Sequence, residues 1–206
     1  MGYTMLPSRD RIQTAVDAVR LRGIAAEIVE SKEAVLAKVR ALIPHGASVM
    51  TAGSVTLREI GLEEELKSGT HPWKNLKAEI LAEKDPARQS VLRKQATLAD
   101  FYVGSVHAVA ESGEIVVASA TGSQLSPYAF SSRNVIWIAG AQKIVPTLDD
   151  AMRRVREYVL PKEDQRMKDI GNSTGSFIGK ILIVEREAAY LRRTVTLLIV
   201  NELLGY

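Results

Sequence analysis

Residues 50–62 read Met50-Thr51-Ala52-Gly53-Ser54-Val55-Thr56-Leu57-Arg58-Glu59-Ile60-Gly61-Leu62. The strand-like run Ala47-Ser48-Val49-Met50 feeds this small, hydroxyl-rich turn, and the turn opens directly into a helical pattern. Such a layout aims free backbone N–H groups, two hydroxyls and the positive end of a helix dipole at one spot. That spot suits phosphate, carboxylate or the pyrophosphate of a cofactor. The plainer reading is an ordinary strand-to-helix turn with Ser54 as N-cap.

The same alternation recurs on both sides of this unit. Ser8 can cap a first helix with Ile12, Ala15, Val16 and Val19 on one face, stopped near Gly23. A short strand (24–29) leads to Ser31 and a helix with Val35, Leu36, Val39, Leu42 and Ile43 in register. Residues 67–85 read as a partly irregular excursion, and Asp85-Pro86 supplies a cap and a first-turn proline for the next helix. Phe101-Tyr102-Val103 is one strand; 106–110 and 115–118 form a hairpin around Ser112-Gly113. The run 135–139 is almost wholly apolar, the pattern of a parallel strand covered on both faces. Thr147 caps a helix that Pro161 is expected to stop, and a polar segment (162–179) precedes the strands 181–184 and 194–200. Strands and helices at this spacing give an α/β fold with a mostly parallel open sheet, flanking helices and some antiparallel additions from the hairpin and tail strands. With no linker or repeat, residues 1–206 are expected to form one domain.

Composition narrows the function classes. Apolar residues make up 46% and charged residues 25% of the 206, ordinary values for a globular protein. The net charge of +3 comes from interleaved acids and bases. Arg153, Arg154 and Arg156, flanked by Asp149, Asp150 and Glu157, read as a solvated helix face. Nucleic-acid binding would want a basic stripe with aromatic platforms, whereas the 2 Trp, 6 Tyr and 3 Phe are scattered. The absence of cysteine removes thiolate-ligated clusters, Cys-ligated zinc and a thiol nucleophile, so no cofactor is expected. No histidine pair has helical metal-ligand spacing, and no metal is expected. No apolar run has membrane-spanning length and the first residues lack a signal-peptide layout; the expectation is a cytoplasmic protein.

Three small-residue turns follow three strands: Gly53-Ser54, Gly104-Ser105 and Thr121-Gly122-Ser123. In an open α/β sheet, ligands collect outside the carboxyl ends of the strands. The candidate ligand-binding residues are therefore Gly53, Ser54, Thr56, Gly104, Ser105, Thr121, Gly122, Ser123 and Lys143. Lys143 follows the apolar strand and can balance an anionic ligand. No Gly-x-Gly-x-x-Gly fingerprint occurs. Glu111 and Glu114 bracket the hairpin turn; Glu111 is the candidate catalytic base or nucleophile, and the plainer reading has both as solvated charges.

Five blocks in order, TAGSVTLREIGL (51–62), ADFYVGSVHAV (99–109), ESGEI (111–115), NVIWIAGAQKIV (134–145) and ELLGY (202–206), give a sequence that resembles the lactate-utilisation (LUD) domain family from about Arg9 to the end. The resemblance implies the fold shared by glucosamine-phosphate deaminase, ribose-phosphate isomerase and CoA transferases. It also implies a part in bacterial L-lactate utilisation, alongside iron–sulfur and flavin or related oxidase subunits. Many relatives on this branch carry a cysteine-rich segment where this chain has 162–176, so any cluster-binding role of that segment is lost. Glu111-Ser112-Gly113 is similar to the Glu-Asn-Gly of CoA transferases, with Ser for Asn. The leading expectation is a non-redox component of lactate or organic-acid metabolism that binds a small anionic metabolite. The alternative is a free-standing isomerase-like or CoA-transferase-like enzyme using Glu111. Partners beyond the metabolite are the iron–sulfur and oxidase subunits of such a system, with a homo-oligomer left open; neither nucleic acid nor a membrane is expected.

Overall fold

The computed structural model describes residues 2–206. Its frame is a parallel sheet of β1 (Ala25–Val29), β2 (Ser48–Thr51), β3 (Lys74–Asn75), β4 (Phe101–Gly104), β7 (Asn134–Gly140) and β10 (Thr194–Val200), in the order β1-β10-β7-β4-β2-β3. A second, mixed sheet holds β5 (Ala108–Ala110), β6 (Ile115–Ser119), β8 (Ile144–Val145) and β9 (Lys180–Val184), in the order β8-β5-β6-β9.

Period-two alternation explains why β7 and β10 are nearly all apolar. Val135, Trp137 and Ala139, with Val195, Leu197 and Ile199, face a core shared with Ile12, Val16 and Val19 of the helix Arg9–Leu21. Ile136, Ile138, Leu198 and Val200 face the other way, onto Val35, Val39, Leu57 and Leu62. Val109, Ile115 and Val117 of the second sheet join the first core, and Ala108 and Val116 pack on Ala151 of the helix Leu148–Arg154 and on Val155 just beyond it. The hydroxyl and carboxylate caps read from the sequence are in place: Ser8, Ser31, Ser54, Asp85 and Thr147 each accept a first-turn N–H. Among the described residues, no helix is long and apolar enough to cross a membrane.

Two expectations need correction. The tail strand β10 is no antiparallel addition; it lies between β1 and β7, parallel to both, because its two apolar faces need cover on both sides. The antiparallel additions that were expected are present, as the pairs β5–β6 and β6–β9 of the second sheet. Pro161 does not end its helix. A π turn, Val155–Val159, precedes the helix Leu160–Asp169, and its wider winding accommodates the missing N–H and the ring of the proline.

Candidate functional site

The loops after β2, β4 and β7 leave the same edge of the parallel sheet. After β7 the chain makes a tight turn, Ala141–Lys143. Gly140 has no room for a side chain: a Cβ would lie 2.2 Å from Gln142 Oε1 and 2.5 Å from the Leu204 nitrogen. Gln142 Nε2 donates to the Leu204 carbonyl at 2.8 Å and so pins the turn to the C-terminal segment. This turn delivers Lys143 into the space at the ends of β2 and β4.

Lys143 is 2% exposed, and its Nζ donates to Thr56 Oγ1 at 3.0 Å, Ser105 Oγ at 3.0 Å and the Val106 carbonyl at 3.2 Å. An ammonium has three N–H groups, and all three are used on neutral oxygens. Burial without a carboxylate partner disfavours the charged form. Burial lowers the Lys143 pKa to about 7, the Arg154 guanidinium adds to the effect, and Glu59 opposes it. The two hydroxyls that accept from the ammonium keep their own protons. Among the described residues those protons have only long outlets, 3.4 Å from Thr56 Oγ1 to the Leu204 carbonyl and 3.3 Å from Ser105 Oγ to the Val106 carbonyl or to Thr56 Oγ1. An incoming anion therefore meets two hydroxyl donors backed by a positive charge.

This cluster forms one wall of a cavity of about 440 Å³, a size that takes a small-molecule ligand. Gly53 and Ser54 line it from the loop after β2, Thr56 from the helix that follows, Ser105 and His107 from the segment after β4, and Ser119 and Thr121 from the end of β6. Glu163, Arg166 and Tyr206 line it as well. Glu163 pairs with Arg166 at 2.6 Å and accepts from the Tyr206 hydroxyl. Burial works to raise the Glu163 carboxyl, but Arg166 and Tyr206 outweigh it and hold it below the usual range. His107 Nδ1 accepts from the Ala118 N–H at 3.0 Å, which leaves the proton of the neutral ring on Nε2. Burial lowers its pKa to about 3, with Lys143 and Arg154 acting in the same direction.

Six of the residues picked out by sequence, Gly53, Ser54, Thr56, Ser105, Thr121 and Lys143, line this cavity; Gly104, Gly122 and Ser123 do not. Gly104 is a packing requirement: a Cβ there would sit 1.7 Å from the Tyr128 hydroxyl oxygen. Gly122 adopts a φ of +88° against the Lys180 side chain, and the exposed Ser123 accepts from Thr121 Oγ1 at 3.2 Å. Glu111 is not brought to the cavity either. β5 runs from His107, at the cavity, to the hairpin tip, and Glu111 sits at that tip, accepting from Arg11 Nε at 2.6 Å. Glu114 pairs with Arg22, just past the end of that first helix, so both tip carboxylates have a cation rather than open solvent.

Sequence reasoning missed His107, Gln142, Glu163, Arg166 and Tyr206. It also misplaced Arg154, which is 0% exposed rather than solvated. Its guanidinium donates to the His107 carbonyl and lies 5.6 Å and 5.1 Å from the Tyr3 and Tyr158 ring centres; Nε and one terminal nitrogen have no hydrogen-bond partner among the described residues. The signal was its place on the stripe of Ala151, Val155 and Val159, which are all buried.

The LUD domain model matches residues 12–186, most of the chain. The protein belongs to the LUD domain family. Membership supports a role associated with lactate utilisation. This LUD domain is similar in fold to the crystal structure of a DUF162 family protein from Deinococcus radiodurans at 1.70 Å resolution. The TM-score is 0.50 and the identity 14%, over 94% of this chain and 98% of that one. No curated protein matches the sequence.

Proposed function

We propose that this LUD domain is a single-domain, non-redox component of bacterial lactate or related organic-acid utilisation that holds a small carboxylate- or phosphate-bearing metabolite in the cavity. The observation that carries the reading is the buried Lys143 ammonium, which shares the cavity wall with Thr56 and Ser105 and is satisfied only by neutral oxygens. A buried cation without a counter-charge is costly unless something compensates for it, and an anionic ligand supplies what the protein omits. Gly53, Ser54 and Thr121 complete the polar lining, and the iron–sulfur and oxidase subunits of such a system are the partners the reading supplies. The enzyme alternative built on Glu111 has less support, since that carboxylate is held by Arg11 at the hairpin tip.

Calorimetric titration with L-lactate, pyruvate and inorganic phosphate tests the reading. At pH 6.5 the wild type is expected to bind at least one of the three, and Lys143→Met to lose at least tenfold in affinity. Equal affinity in the two proteins would remove Lys143 from the site.

A further inference from the structure

We propose that Ser105 and Lys143 form a nucleophile–base dyad, so that the cavity supports acyl transfer from a small ester or thioester. This goes beyond anion binding and does not depend on it.

The geometry has the three parts that an activated hydroxyl needs. The nucleophile, Ser105, is partly exposed, lines the cavity and has its Oγ 3.0 Å from Lys143 Nζ. The base is fixed by two further contacts, to Thr56 Oγ1 at 3.0 Å and to the Val106 carbonyl at 3.2 Å, so its nitrogen cannot swing away from Ser105. Ser105 itself is held from below, where the buried Tyr128 hydroxyl donates to its carbonyl at 3.4 Å. Lys–hydroxyl pairs replace the Ser–His pair on other scaffolds when the lysine can lose its proton near neutral pH. Burial among neutral oxygens supplies that condition here. Thr56 Oγ1, 3.3 Å from Ser105 Oγ, is the nearest hydroxyl donor for the charge that develops on an attacked carbonyl. Beyond this polar end the cavity wall turns apolar, with Val155, Val159, Leu160 and Ile178, which suits an acyl chain.

The step balances without a cofactor. The neutral Lys143 amine takes the Ser105 proton as Oγ bonds to the acyl carbon. The bond from that carbon to the leaving oxygen or sulfur breaks, and the Lys143 ammonium protonates the leaving group. Water then attacks the acyl-serine, gives its proton to Lys143 and releases the carboxylic acid, and the Ser105 oxygen recovers its proton.

A fluorophosphonate probe tests the dyad without a known substrate, with the adduct located by peptide mass spectrometry and p-nitrophenyl acetate turnover as a second readout. The expected result is one adduct, on Ser105, forming at a rate that rises with pH through about 7. Of the groups facing Lys143, His107 is neutral well below this window and Arg154 titrates around 10; Glu59 and the Tyr128 hydroxyl are the others. Labelling is expected to vanish in Ser105→Ala and to slow at least ~100-fold in Lys143→Met, the size of a general-base contribution. No adduct, an adduct on another residue, or an undiminished rate in a folded Lys143→Met would overturn the dyad. Should that variant fail to fold, a wild-type rate that does not rise through pH 7 overturns it equally. Metabolite binding measured on the wild type, with both hydroxyls in place, separates this outcome from the fate of the anion-binding reading.

Discussion

Lys143 Nζ and Thr56 Oγ1 lie 3.0 Å apart although 87 residues separate them along the chain. Thr56 belongs to the helix that follows β2, and Lys143 to the turn that follows β7. The C-terminal segment closes over both: a Cβ at Gly205 would lie 2.4 Å from Thr56 Oγ1 and 3.4 Å from Lys143 Nζ. Three distant pieces of chain thus fix one ammonium among neutral oxygens, at the edge where a parallel sheet presents its loops.

Gly205 is the most sensitive position of this closure. Its φ of +59° favours glycine, and its missing side chain makes room for the Thr56 hydroxyl. Gly205→Ala is expected to cost about 1–3 kcal/mol, read as a lower urea midpoint with unchanged slope, together with weaker ligand binding. Stability within experimental error of the wild type would show that the segment does not pack on Thr56 in solution.

Arg154 acts on the site from behind. Its buried guanidinium disfavours the charged form of Lys143. Arg154 has no carboxylate partner among the described residues, so its removal strands no opposite charge. Arg154→Met is therefore expected to change unfolding free energy by less than about 2 kcal/mol, and to move the pH at which anion binding halves above its wild-type value. A binding profile unmoved by the substitution would mean that the guanidinium is not felt at Lys143.

His107 sets an acid limit. Its folded pKa of about 3 lies below the ordinary value of 6.5, so between those values the unfolded chain binds a proton that the folded one does not. Stability from this group is complete above about 6.5 and is lost as pH falls toward 3. Chemical denaturation between pH 4 and 7 is expected to show a steeper acid loss in the wild type than in His107→Gln, whose amide oxygen can still accept from Ala118. Parallel curves would contradict a neutral imidazole that accepts from the Ala118 N–H.

Glu111 is a stabilising surface group in this geometry. Glu111→Gln removes its ion pair with Arg11 and is expected to cost at most about 1 kcal/mol. Metabolite affinity in the same calorimetric titration should be unaltered. A large loss of binding would return this carboxylate to the site.

The continuous apolar run of β7, the hydroxyl caps and the Gly53-Ser54 turn were legible because each is a local pattern with a local cause. Lys143 was legible as a candidate because it follows a strand that reads as buried on both faces. What stayed hidden needed long-range contacts. Arg154 looks solvated beside Arg153 and Arg156, and only the packing of Tyr3 and Tyr158 against it makes its burial intelligible. Tyr206 and Glu163 meet across 43 residues, which no periodicity announces. The Thr121-Gly122-Ser123 turn follows a strand of the second sheet, so only Thr121 of the three reaches the cavity.

The charge state of Lys143 is the quantity on which everything else turns, and NMR of selectively 13Cε-labelled lysine reads it directly. Comparison with Lys143→Met assigns the signal, and a pH titration with and without a bound metabolite anion follows it. The expected result is a Lys143 resonance that titrates near 7 in the free protein and at clearly higher pH once the anion is bound, since a ligand that prefers the ammonium form must raise its pKa. A resonance that titrates near 10.5 in the free protein, or one that lactate, pyruvate and phosphate all leave unmoved, would contradict a desolvated lysine as the anion receptor of this cavity.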